Sequence, residues 1–123
     1  MPVRMSTGVR RPDESREFFT DERCHILELS GRVDDPRLSI ARARVEAGVT
    51  TQLHVLDIDE RYLVVAGRGV VEAGGREESV GPGDVVLIPA GVPQRIRNSG
   101  DEDLVFYCLC TPAWTPETYR ALD

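Results

Sequence analysis

From residue 39 to 46 the chain reads SIARARVE, with Ser39, Ala41, Ala43 and Val45 on one side of a period-two pattern and Ile40, Arg42, Arg44 and Glu46 on the other. The two arginines mark the second set as the wet face, so the small side chains point inward and leave space there. The same rhythm predicts strands in CHILEL (24–29), TQLHVL (51–56), ERYLVVA (60–66), VVLIP (85–89), QRIRN (94–98) and LVFYCLC (104–110). GVVEAGGREESV (69–80) reads as a hairpin about Gly74 and Gly75. GRVDDP, AGVT, DID, GPGD, AGVP and SGDED separate these segments as turns and loops. A short helix is expected only at the end, in TPETYRALD, with Thr115 as cap, Pro116 at the first helical position and Glu117 in the first turn. Many short strands at this spacing make an all-β sandwich or barrel. Residues 1–20, charged and largely aperiodic, are expected to form an arm, and residues 21–123 one barrel domain.

Composition narrows the function classes. At 123 residues the chain can build one self-sufficient core. Its 15 basic and 21 acidic residues give a formal charge of −6, which argues against nucleic acid or an anionic membrane as partner. Every basic residue is arginine, a bias that most simply reflects GC-rich coding. No apolar run approaches the roughly 20 residues that span a bilayer, and the N-terminal stretch lacks a signal-like apolar segment, so a cytoplasmic location is expected. Cys24, Cys108 and Cys110 are odd in number and show no CxxC spacing, which suggests neither a disulfide framework nor a zinc knuckle, and Cys108 and Cys110, on one face of the last strand, are expected to be buried core thiols.

Chemistry concentrates in LHVLDIDE (53–60), where His54 precedes Glu60 by six positions. Gly48, His54, Leu56, Glu60 and Gly67, followed by Gly83, Pro89, Gly91, Gln94 and Asn98, keep the spacings of the two sequence motifs of the cupin superfamily. Eight of these ten positions carry the motif residue, and the chain on this basis resembles a small single-domain cupin. The two departures both fall on metal-ligand positions: Leu56 and Gln94 stand where the superfamily has histidines. The resemblance implies a double-stranded β-helix, a small jelly-roll barrel, whose motif residues converge in a cavity. It also implies a divalent ion, Mn, Fe, Ni, Cu or Zn, held here by His54, Glu60 and Gln94. Losing two imidazoles shifts such a site toward harder ions such as Mn(II), with Zn still compatible. His25 is the one other imidazole in the chain and is a further candidate ligand if its strand turns it inward.

Leu56, Tyr62 and Ile96 are expected on the cavity wall, Tyr62 because it shares strand parity with Glu60. Asp57 and Asp59 read as turn residues, and Arg95 and Arg97 as the outer face of their strand. Two classes of function follow. One is a metal-dependent oxygenase, isomerase or lyase acting on a small organic molecule, or its metal-free variant in which Glu60 and His54 serve as catalytic base and acid. The other is a non-catalytic barrel that binds a sugar or organic acid and whose metal site has decayed, a reading that Leu56 favours by drying the wall. A homodimer is expected in either case, with the Phe18–Phe19 pair of the arm buried between copies.

Overall fold

The computed structural model describes residues 4–123, so the first three residues of the expected arm lie outside it. Eleven strands make up the described chain: β1 (Phe18–Phe19), β2 (His25–Ser30), β3 (Ser39–Val45), β4 (His54–Leu56), β5 (Asp59–Ala66), β6 (Gly69–Ala73), β7 (Arg76–Val80), β8 (Val85–Ile88), β9 (Gln94–Asn98), β10 (Leu104–Thr111) and β11 (Tyr119–Ala121). They form two antiparallel sheets, β1-β2-β3-β10-β5-β8 and β11-β4-β9-β6-β7. This is the all-β architecture expected from the strand pattern, and the jelly-roll that the motif resemblance implies.

The alternation in β3 behaves as its pattern requires. Ser39, Ala43 and Val45 are buried, while Arg42 and Arg44 stand on the outer face. There the arginines collect the arm: Arg42 makes a two-pronged contact with Glu14 at 2.7 and 2.6 Å, and Arg44 meets Glu17 at 2.6 Å. The bond from Arg44, with a second from Arg42 to Glu17 at 3.0 Å, holds the Glu17 carboxyl down at about 2. A single 3-10 turn, Glu14–Arg16, and the two residues of β1 complete the docking, with Phe18 and Phe19 paired to Ile26 and His25.

The β6–β7 hairpin turns on Gly74 and Gly75, with φ of 59° and 79°. A two-residue turn of this hand needs positive φ at both positions, which glycine supplies without a side-chain clash. The core packs around Val45, Val64, Ile96, Leu104 and Phe106. A smaller cluster joins Leu56, Ile58 and Cys110 and is covered by Tyr119.

The expected C-terminal helix is not formed. Only a 3-10 turn, Pro116–Thr118, follows Thr115, whose side chain makes no capping bond. Beyond it Tyr119–Ala121 is β11, registered Tyr119 against Leu56 and Ala121 against His54. The open edge of β4 offers a ladder of backbone partners, and that tertiary gain outweighs a weak local helix signal.

Candidate active site

Strand β4 lies between β11 and β9, so all three of its residues are buried. His54, its first residue, bonds through Nδ1 to the carbonyl of Gln52 at 2.7 Å. A carbonyl only accepts, so this contact fixes the proton of the neutral ring on Nδ1 and leaves Nε2 as the acceptor. The ring stacks on Tyr119 with centroids 4.8 Å apart, and the Tyr119 hydroxyl donates to Gln52 Oε1 at 2.6 Å. Burial lowers the His54 pKa, only partly offset by the Gln52 carbonyl, and keeps the imidazole neutral.

Glu60 comes from β5, opposite Cys110 of β10 and Ile88 of β8. It is 7% exposed, Cys110 Sγ stands 3.6 Å from its Oε2, and its Oε1 has no hydrogen-bond partner. Loss of solvent is the main cause that lifts this carboxyl to about 7; the Gln94 amide and the Cys110 and Cys108 thiols pull the other way. Two residues on, Tyr62 shares the inward face, packs against Phe106 and donates its hydroxyl to Gln94 Oε1. Gln94 is fully buried and aligned across from His54 in the β4–β9 ladder. With its oxygen taken by Tyr62, its unpartnered Nε2 is the group left to face Glu60.

His54, Glu60 and Tyr62 line a cavity of about 350 Å³, whose wall also includes Leu56, Cys24, Cys108 and Cys110, whereas Gln94 is not on that wall. The three thiols are held protonated by burial: Cys24 is pushed up to about 12, and the other two are raised as well. Glu22, in the loop between β1 and β2, was not singled out from the sequence. Its carboxyl lies 3.8 Å from His54 Nδ1 and is raised to about 7, first by burial and then by the charge of Glu60. Nothing in the sequence at residues 21–23 signals a cavity residue. The loop is held in place by distant backbone: Gln52 N–H donates to the Glu22 carbonyl at 3.0 Å, and Arg23, at φ 70°, bonds to the Thr50 carbonyl at 2.9 Å.

Two expected site residues fall elsewhere. His25 is not in the cavity. Cys24, Ile26 and Glu28 face it, so period two turns His25 outward, where it meets Glu46 at 3.0 Å and the edge of Phe19. Ile96 has the inward parity expected of it but sits deeper along β9, fully buried in the core cluster rather than on the cavity wall. The donor set expected for a metal is also incomplete in this arrangement. Leu56 is apolar, the Gln94 carbonyl oxygen is already engaged, and among the described residues no group of three or more His, Cys, Asp or Glu is placed to share an ion. His54, Glu60 and Gln94 as arranged do not fit a metal.

The sequence profile of the Cupin domain family matches residues 41–110, from within β3 to within β10. The chain belongs to the cupin family. Among relatives of this cupin, an uncharacterised Methanocaldococcus jannaschii protein, MJ1618, is 31% identical over 114 residues, covering 90% of this chain and 91% of its own. The oxalate-binding protein of Thermotoga maritima is 30% identical over 89 residues, covering 72% and 73%. A Streptomyces PAC13 variant solved with uridine superposes with a TM-score of 0.79 at 18% identity, covering 96% of this chain and 92% of that one. At that identity the likeness is one of fold.

Proposed function

We propose that this cupin is a small-molecule enzyme that works by proton transfer without a metal, as an isomerase or lyase. The observation that carries the reading is Glu60: a carboxyl inside the barrel, one oxygen unpartnered, with its pKa lifted to about 7. A group poised there gives up and takes back protons at neutral pH, which is what a general acid and base must do. Glu60 takes a proton from the substrate and, as the acid it then becomes, returns it at the new position of an isomerase product or to the leaving group of a lyase step, with neutral His54 on the same cavity wall. Tyr62 acts through Gln94: by engaging the amide oxygen it aims the N–H₂ toward Glu60 and steadies the carboxylate when it forms. The walls exclude water and so keep the carboxyl weakly acidic.

A binding role without turnover is the second reading, favoured by the apolar Leu56 on the wall and by similarity to the oxalate-binding protein. The barrel acts in either case as a homodimer, supported by Val85 and Leu87 of the edge strand β8, which are 56% and 71% exposed on the outer face.

Metal content separates proton transfer from metal chemistry. Protein produced with Mn, Fe, Ni, Cu and Zn supplied should carry far less than one equivalent of any of them, and Glu60→Ala should carry the same. A stoichiometric metal that disappears in Glu60→Ala would overturn the reading.

A further inference from the structure

The cavity wall carries Asp21, Glu22, Glu28 and Glu60, and among the described residues no arginine lines it. The chain has no lysine, and the one imidazole on the wall, His54, is held neutral. Among the described residues no positive side chain lines the cavity to receive an anion. Glu60 adds an acceptor on the same wall: it is nine-tenths buried and its Oε1 makes no hydrogen bond within the protein, although the Gln94 amide faces the carboxyl, so an entering N–H or O–H can bond to it. Aromatic groups complete the enclosure, with Phe18 and Trp114 partly exposed at the wall and Tyr119 stacked on His54.

We propose that the ligand of this cavity is a small organic ammonium, its cation held between the Glu22 carboxylate and the faces of Phe18, Trp114 and Tyr119, with an N–H or O–H donated to Glu60. Carboxylates and aromatic faces both attract a desolvated cation, and the two together repel a carboxylate ligand of the same size. Glu22 is the specificity-determining residue because it stands beside His54, in a loop held to the barrel by the backbone bond from Gln52. A cation there relieves the repulsion between the charges of Glu22 and Glu60. The inference rests on the metal-free reading of the site, since a bound divalent ion would reverse the preference toward anions.

Trp114 is the one tryptophan of the chain, so its fluorescence reports occupancy directly. Benzylammonium, benzyl alcohol and benzoate share a ring and differ in charge. At pH 8, benzylammonium is expected to bind ~10-fold more tightly than benzyl alcohol, and benzoate most weakly. Glu22→Gln should bring benzylammonium to within ~3-fold of benzyl alcohol while benzyl alcohol keeps its own affinity, and Glu22→Asp should preserve the cation preference. Benzoate binding as tightly as benzylammonium, a cation preference that survives Glu22→Gln, or no saturable response to any of the three would overturn the proposal. Metal analysis keeps the two readings apart: an anion-preferring barrel free of metal overturns the ligand class alone, whereas stoichiometric metal on Glu60 overturns the proton-transfer reading.

Discussion

Glu60 ties the chemistry of the site to the stability of the fold. Its folded pKa of about 7 lies above the ordinary 4.5, so the folded state holds the proton more tightly than the unfolded chain. Stability from this group is full below 4.5, falls as pH rises toward 7, and is lost above that, a change on the order of 3 kcal/mol. His54 works in the opposite sense: its folded pKa is depressed below 6.5, so its contribution is present above 6.5 and is lost as pH falls toward the folded value. Comparing wild type with Glu60→Gln isolates the first effect. Thermal unfolding at pH 5 and pH 8 should show the variant losing less stability at the higher pH than wild type does; equal losses would contradict a raised Glu60. At this scale the resemblance to the cupin motifs is what joined His54, Leu56, Glu60 and Gln94, whose 40-residue separation no local pattern bridges, while strand parity added Tyr62 beside Glu60. The orientation of the Gln94 amide was not legible, since it is set by Tyr62 from a strand of the other sheet. Glu22 was not legible either, because long-range backbone bonds place it.

Strand β11 shows how an element serves the site. It closes the edge of β4, and its first residue supplies the ring that stacks on His54. Tyr119→Ala should cost ~1–2 kcal/mol in urea unfolding, and Tyr119→Phe, which keeps the ring and loses the bond to Gln52, closer to 1 kcal/mol. Equal stability of all three proteins would show that β11 does not brace the site. Strands β4 and β9 allow a converse test. His54 and Gln94 are cross-strand partners, and Leu56 is two residues along β4 and lines the cavity. Leu56→His combined with Gln94→His should therefore create a site that retains about one equivalent of Zn or Mn through desalting, where wild type retains little. No gain in metal would mean that these strands do not converge as described. Periodicity located nearly every strand, including the hairpin at Gly74–Gly75. It misread the last element because a cap-like Thr-Pro-Glu signal carries no information about an open sheet edge elsewhere in the chain.

At the scale of the whole molecule, the two sheets carry a cavity that is acidic, partly aromatic and bounded by thiols. The outer face is more ordinary, with the arm held to β3 by arginine–glutamate pairs. The edge strand β8, with Val85 and Leu87 outward, is where a second copy would pair or pack. Light scattering should report a dimer for the wild-type chain and a monomer for Leu87→Glu with Val85→Glu; a wild-type monomer contradicts the dimer. Among the described residues no helix is long and apolar enough to cross a membrane. The barrel was legible from motif glycines and strand rhythm together, whereas the sign of charge on its inner wall emerged only once the strands were wound and the loop of Glu22 was laid beside His54. The central claim is that the barrel holds a carboxyl poised at neutral pH. A ¹³C NMR titration of glutamate-labelled protein, with the Glu60 carboxyl assigned by its absence in Glu60→Gln, measures this directly. The account predicts a midpoint near 7, and a midpoint near the ordinary 4.5 would contradict it.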